Sequence, residues 1–164
     1  MTVPIFFDTR ELRMVRYEEK QLCKWALLFP IIIVFIIYAH ITFPSPYWVS
    51  HLFLPILEVF FTIIFVNFLY LRIKIDDKYL VFGFGVIRNK IPLDDIISCE
   101  ETEIKFSNYL GYGIRLGRDG SIAYNIRSGK GIRLKIKGKK REYVVSTDNA
   151  DKICEILEQH KMIS

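Results

Sequence analysis

The chain has 164 residues and a formal net charge of +5, and 51% of its residues are hydrophobic while 25% are charged. A positive mean hydropathy combined with that charge excludes one uniformly mixed soluble domain, because the two properties must sit in different parts of the chain.

The N-terminal stretch, residues 1–24, admits two readings. Asp8-Thr9-Arg10-Glu11 resembles a helix start with Leu12, Val15 and Leu22 on one side, so residues 9–24 would run directly into the next helix. Alternatively the segment is an extended arm that pairs with a later β domain. The preceding VPIFF lies near a membrane surface in either case.

Residues 25–41 (WALLFPIIIVFIIYAHI) and 52–71 (LFLPILEVFFTIIFVNFLYL) are apolar runs of about the 17–25 residues that a helix needs to cross a hydrocarbon core. The first is too long for a signal peptide's apolar region, follows a segment rich in both acids and bases, and has no A-x-A site after it. The pair reads as a retained hairpin, 25–71. Its connection, TFPSPYWVSH, holds Pro44 and Pro46 and no charged Lys, Arg, Asp or Glu. Bases collect on the other side: Arg10, Arg13, Arg16, Lys20 and Lys24 before the first run, Arg72, Lys74 and Lys78 after the second. The positive-inside rule then predicts a multi-pass protein of the cytoplasmic membrane with both termini cytoplasmic, Trp25 and Tyr70 at the inner interface and Tyr47 and Trp48 at the outer one.

Glu58 lies about 9 Å along the second helix from Leu52 at 1.5 Å per residue, deeper than the headgroups. An ionised carboxylate there is costly, so it must be protonated, paired or facing protein. It reads either as a proton or ion site in an oligomeric transporter or channel, or as a polar contact to another copy or a partner subunit. Asn67 is expected to hydrogen-bond across a helix interface. His40 and His51 flank the outer loop, and two histidines fall short of an ordinary zinc site, so they read as interfacial residues and no metal is expected.

From residue 72 to 164 the pattern changes. The runs LRIKI, YLVFGF, VIRNKI, DIISCEETEI, GIRLG, SIAYNI, GIRLKI and EYVVST are punctuated by DDK, FG, PLDD, RDG, RSGKG and KGKK. Ile132, Leu134 and Ile136 alternate with Arg133, Lys135 and Lys137, as half-buried antiparallel strands require. The region reads as an all-β domain of about seven antiparallel strands. A last helix follows, capped by Asp148 or Asn149, with Ile153, Ile156, Leu157 and His160 on one stripe that closes the sheet. Strands closed by one C-terminal helix describe a PH-like (pleckstrin-homology-like) roll or barrel.

The run YGIR from Tyr112 to Arg115, then DG-SIAYN, GKGIRLKIKGKK and VVSTDNADKICEIL, with MVRYEEKQ from Met14 to Gln21 upstream, resembles the bacterial and archaeal PH-like membrane proteins with two N-terminal transmembrane helices. Where that family often carries Trp near the Gly-Ile-Arg run and Pro opening the last helix, this chain has Tyr112 and Ala150. The resemblance implies the fold, and it implies no single activity, because that family has none established.

The glycines of GYGIRLGRDGSIAYN do not make a phosphate loop. Gly111, Gly113 and Gly117 miss the G-x-G-x-x-G spacing, and Gly129-Lys130-Gly131 leads into a strand without Ser or Thr. They read as turn and bulge positions, and no nucleotide or other cofactor is expected. Arg127, Lys130, Arg133, Lys135, Lys137, Lys139, Lys140 and Arg141 form a run without an acid. It reads as a patch for an anionic phospholipid or an acidic protein partner, or as a solvated hairpin whose lysines keep its edge from pairing. Aromatic residues are not interleaved with the bases, which argues against nucleic acid. No catalytic motif occurs, so no enzyme is expected. Cys23, Cys99 and Cys154 are scattered and expected to be reduced thiols, and Glu100, Glu101 and Glu103 read as solvated charge. The expected work is binding: a membrane-anchored scaffold for a protein partner or anionic lipid, an accessory subunit or a homo-oligomer.

Overall fold

The computed structural model describes residues 15–42, 46 and 49–163. The expectations placed on residues 1–14 and on Pro44, Tyr47 and Trp48 lie outside them. The chain enters the described region as strand β1 (Val15–Leu22), the extended arm of the two readings above. Tyr17 and Gln21 are buried while Arg16, Glu18 and Lys20 are exposed, a period of two that only a strand can place on one face.

A 3-10 turn (Lys24–Leu27) leads into helix α1 (Leu28–Thr42), and a π turn (Val49–Phe53) into α2 (Leu54–Phe68). Lys24–Thr42 and His51–Phe68 are each long and apolar enough to cross a membrane, and hardly any of either is buried. The two helices pack on each other through contacts such as Phe29 with Phe61. The second helix stops earlier than the expected boundary at 71. Tyr70 and Leu71 already belong to β2 (Tyr70–Asp76), where Leu71 is fully buried opposite Phe84. An apolar run that passes from a helix straight into the buried face of a strand carries no compositional mark of the change.

The strands that follow are β3 (Tyr79–Phe84), β4 (Ile87–Pro92), β5 (Ile96–Ile104), β6 (Gly113–Leu116), β7 (Ile122–Asn125), β8 (Gly129–Ile136) and β9 (Tyr143–Ser146). A short helix α3 (Phe106–Tyr109) lies between β5 and β6, and α4 (Ala150–Ile163) closes the described chain. Instead of about seven antiparallel strands there are nine among the described residues. One sheet runs β1-β2-β3-β4 and the other β5-β8-β9-β7-β6. All neighbours are antiparallel except β7 and β9, which are parallel. The N-terminal arm adds a strand because β2 would otherwise show an open edge, and seven register pairs tie the two together.

The core lies between the sheets. Leu71, Ile73, Ile75, Leu80, Phe82 and Phe84 meet Tyr124, Ile132, Leu134 and Val145 from the other sheet, with Ile153 and Leu157 of α4 in the same cluster. A smaller cluster of Ile104, Tyr109, Ala123 and Val144 forms where α3 covers the second sheet. Rings continue this core into the helices: Tyr124 touches Phe84, Phe84 touches Phe68 and Phe68 touches Trp25. Gly113 opens β6 at a φ of +94° with Trp25 3.4 Å from where a Cβ would stand, so its lack of a side chain admits that ring.

One local expectation needs correction. Cys99 on β5 and Cys154 on α4 form a disulfide, with Cα atoms 5.3 Å apart, and are not free thiols. Their separation of 55 residues hides a proximity that only the packing of α4 on β5 creates. Cys23 is free and fully buried, and burial pushes its thiol up to about 12. At the last helix, the Asp148 carboxylate pairs with Arg127, and Asn149 directly precedes Ala150, the first helical residue.

Candidate functional site

The strand directions divide the β domain into a helix-proximal and a distal end. Tyr70 follows α2 directly, and β2 then runs six residues to Asp76, about 20 Å at 3.3 Å per residue. The distal end gathers the turn after β2, the residues between β4 and β5, and the turn after β8. Leu93 N donates to the carbonyl of Lys78, and Lys137 N donates to that of Asp95. The tip joining β3 to β4 and the start of β6 lie at the helix-proximal end, where Val86 meets Asn67 and Gly113 meets Trp25.

This division splits the basic run. Lys135, Lys137, Lys139, Lys140 and Arg141 are exposed around the distal hairpin joining β8 to β9, and none forms an ion pair among the described residues. Arg133 does not belong to that free patch. Its Nη1 donates to Glu142 at 2.8 Å and its Nη2 to Asp119 at 2.9 Å, and the two bonds raise its pKa further. Partial burial would raise the Asp119 carboxyl, but bonds from Ser121 and Arg133 outweigh it and hold it well below the usual carboxylate range. Lys130 stands at the other end of β8, beside Glu101 and Glu103. The nearby Asp151 carboxyl of α4 raises the pKa of Glu101, which is exposed.

Glu58 Oε1 lies 3.7 Å from His40 Nδ1 on the other helix of the same hairpin, and among the described residues it accepts no hydrogen bond. Asn67 Oδ1 accepts from Val86 N at 2.8 Å and thereby ties the end of α2 to the tip joining β3 and β4. Gly85 makes this possible at a φ of +41°, because a Cβ there would stand 2.2 Å from Asn67 Oδ1. Among the described residues no three potential metal ligands gather.

A polar junction that the sequence did not announce joins β1 to the start of α4. Glu19 accepts from Tyr17 Oη at 2.6 Å, Gln21 Nε2 at 2.8 Å, Thr147 Oγ1 at 2.6 Å and Asp148 N at 3.4 Å. Gln21 Nε2 also donates to the carbonyl of Ser146. Burial first, and then the Glu19 carboxylate, push the Tyr17 hydroxyl up to about 12. The described part of the N-terminal arm, residues 15–21, therefore meets residues 144–157 in space, and the one available sequence signal was the pairing of an acid and an amide two residues apart. No family model, curated protein or solved structure matches the chain.

Proposed function

We propose that the protein is a non-enzymatic scaffold anchored in the cytoplasmic membrane by α1 and α2, with both termini cytoplasmic, and that its distal hairpin binds an acidic protein partner. Support for the anchor comes from two apolar helices whose large side chains, such as Ile31, Phe35 and Ile63, are mostly exposed. A core helix of a soluble protein would hide them. Two packed sheets with α4 in their common core support a PH-like roll as the displayed domain.

The observation that carries the partner assignment is the distance of Lys135, Lys137, Lys139, Lys140 and Arg141 from the helices. About 20 Å by strand rise exceeds a Debye length of about 8 Å at physiological ionic strength, so attraction to the chain's own membrane is screened away. A protein approaching from the cytoplasm meets these bases first. Glu58 lies 3.7 Å from His40 of the same hairpin, which favours a polar contact between helices over the competing reading as an ion site of an oligomeric transporter.

Affinity purification from native membranes in mild detergent, followed by mass spectrometry, tests the assignment. Neutralising Lys135, Lys137, Lys139 and Lys140 together to Gln is expected to release a stoichiometric partner. A partner retained by that variant moves the interface elsewhere, and ion flux abolished by Glu58→Gln replaces the scaffold with a transporter. C-terminal fusions to one reporter active only in the cytoplasm and one active only outside it test the orientation. A bridge such as Cys99–Cys154 persists in an oxidising compartment, so C-terminal reporter activity only outside the cytoplasm would overturn the proposed orientation.

A further inference from the structure

We propose that the helix-proximal end of the first sheet, together with the groove beside α2, binds one anionic phospholipid. The proposal rests on the membrane-anchored reading and on a surface distinct from the distal hairpin.

Three bases and a glycine form one row across the four strands. Lys20 of β1 pairs in register with Arg72 of β2, Arg72 with Gly83 of β3, and Gly83 with Arg88 of β4. Cross-strand partners point to the same face, so Arg72 and Arg88 flank a position that has no side chain. Gly83 is itself buried, with the β4 backbone packed where a Cβ would stand, so no side chain separates the two arginines. Their Cα atoms are about two strand spacings apart, roughly 10 Å, a span their long side chains can close on a phosphate. Lys20, Arg72 and Arg88 are exposed, and none makes an ion pair among the described residues. The row contains no acid, and the nearest acid on that face, Glu18, stands opposite Lys74.

Arg88 links this row to an apolar groove. Its Nε donates to the carbonyl of Gly85 at the tip, which folds the guanidinium onto the rim of a groove of about 610 Å³. Ile63, Val66 and Asn67 of α2 form one wall, and Gly85, Val86 and Ile87 the other. Val86 is 89% exposed and Ile63 63%, an unfavourable arrangement in water and a favourable one beside an acyl chain. Bases above and an apolar slot below match the two halves of an anionic phospholipid: phosphate on Arg72 and Arg88, one acyl chain along α2.

The full chain is reconstituted in lipid nanodiscs of phosphatidylcholine with a minor fraction of phosphatidylglycerol and released for native mass spectrometry. Wild type is expected to retain one phosphatidylglycerol in preference to phosphatidylcholine. Arg72→Gln with Arg88→Gln is expected to weaken that retention about 30-fold, from two bases each contributing near a membrane surface. Ile63→Trp, on an exposed helix position where folding is not at stake, fills the groove and is expected to release the lipid while leaving the basic row intact. Lys139→Gln with Lys140→Gln is expected to change nothing. Equal retention of both lipids, or full retention by the double arginine variant, overturns the lipid site while leaving the anchor standing. A chain that stays out of the bilayer overturns both.

Discussion

The Glu19 junction invites the most demanding test, because one carboxylate holds an arm that is 128 residues from its partner Thr147. In Glu19→Ala, the Tyr17 and Thr147 hydroxyls lose their acceptor, and both residues are buried. An unsatisfied buried donor costs about 1–3 kcal/mol. Glu19 itself is half-buried, so water replaces part of the loss and the net penalty is about 2–4 kcal/mol. For a chain of this size that lowers the melting temperature by about 6–12 °C. Glu19→Gln keeps the shape, and the hydroxyls can turn to accept from the new amide, so about 1 kcal/mol is expected. Thermal unfolding in nanodiscs measures both, and hydrogen exchange locates the effect, since β1 amides paired with β2 are expected to exchange faster first. A cycle with Thr147→Val is expected to give at least about 1 kcal/mol of coupling. A Glu19→Ala protein that melts with wild type and keeps its β1 protection would refute the idea that this carboxylate fastens the arm.

Two further outcomes follow from local geometry. Asn67→Ala is expected to cost about 1 kcal/mol and to expose the Val86 amide to exchange. Gly85→Val is expected to cost more, and adding Asn67→Ala is not expected to rescue it, because the Asn67 backbone oxygen still lies 2.7 Å from the added Cβ; a double variant that melts like wild type would contradict this. Asp119 is held below its usual range, so its stabilisation is present above the ordinary carboxylate pKa of about 3.9 and is lost as pH falls further. The stability gap between wild type and Asp119→Asn, about 1 kcal/mol for a part-exposed pair, is expected at neutral pH and should shrink below about pH 4. A gap that does not change with pH would disprove the assignment.

Much of the architecture was legible in the residues because it depends on local period. The two apolar runs, the eight strand segments from LRIKI to EYVVST and the stripe of the last helix each announce themselves over about twenty residues or fewer, and each is found as an element. The basic character of residues 127–141 was equally plain. Which of those bases remain free was not, since Arg133 finds Asp119 and Glu142 only after β6, β7 and β9 have been brought beside β8.

The arm shows why the remainder stayed hidden. VRYEEKQL has residues for either a helix or a strand, and the choice falls to β2, whose open edge and whose neighbour Thr147 lie far along the chain. The same holds for Asn67, whose amide oxygen is taken by a turn, for Glu58, which lies beside His40, and for the cysteines joined by the packing of α4. Sequence alone determined where side chains alternate, where apolar surface concentrates and where charge accumulates, because these are properties of neighbours along the chain. Only the tertiary structure decided which polar groups meet and which end of the domain the bases occupy, because those depend on contacts between segments whose separation no local pattern records.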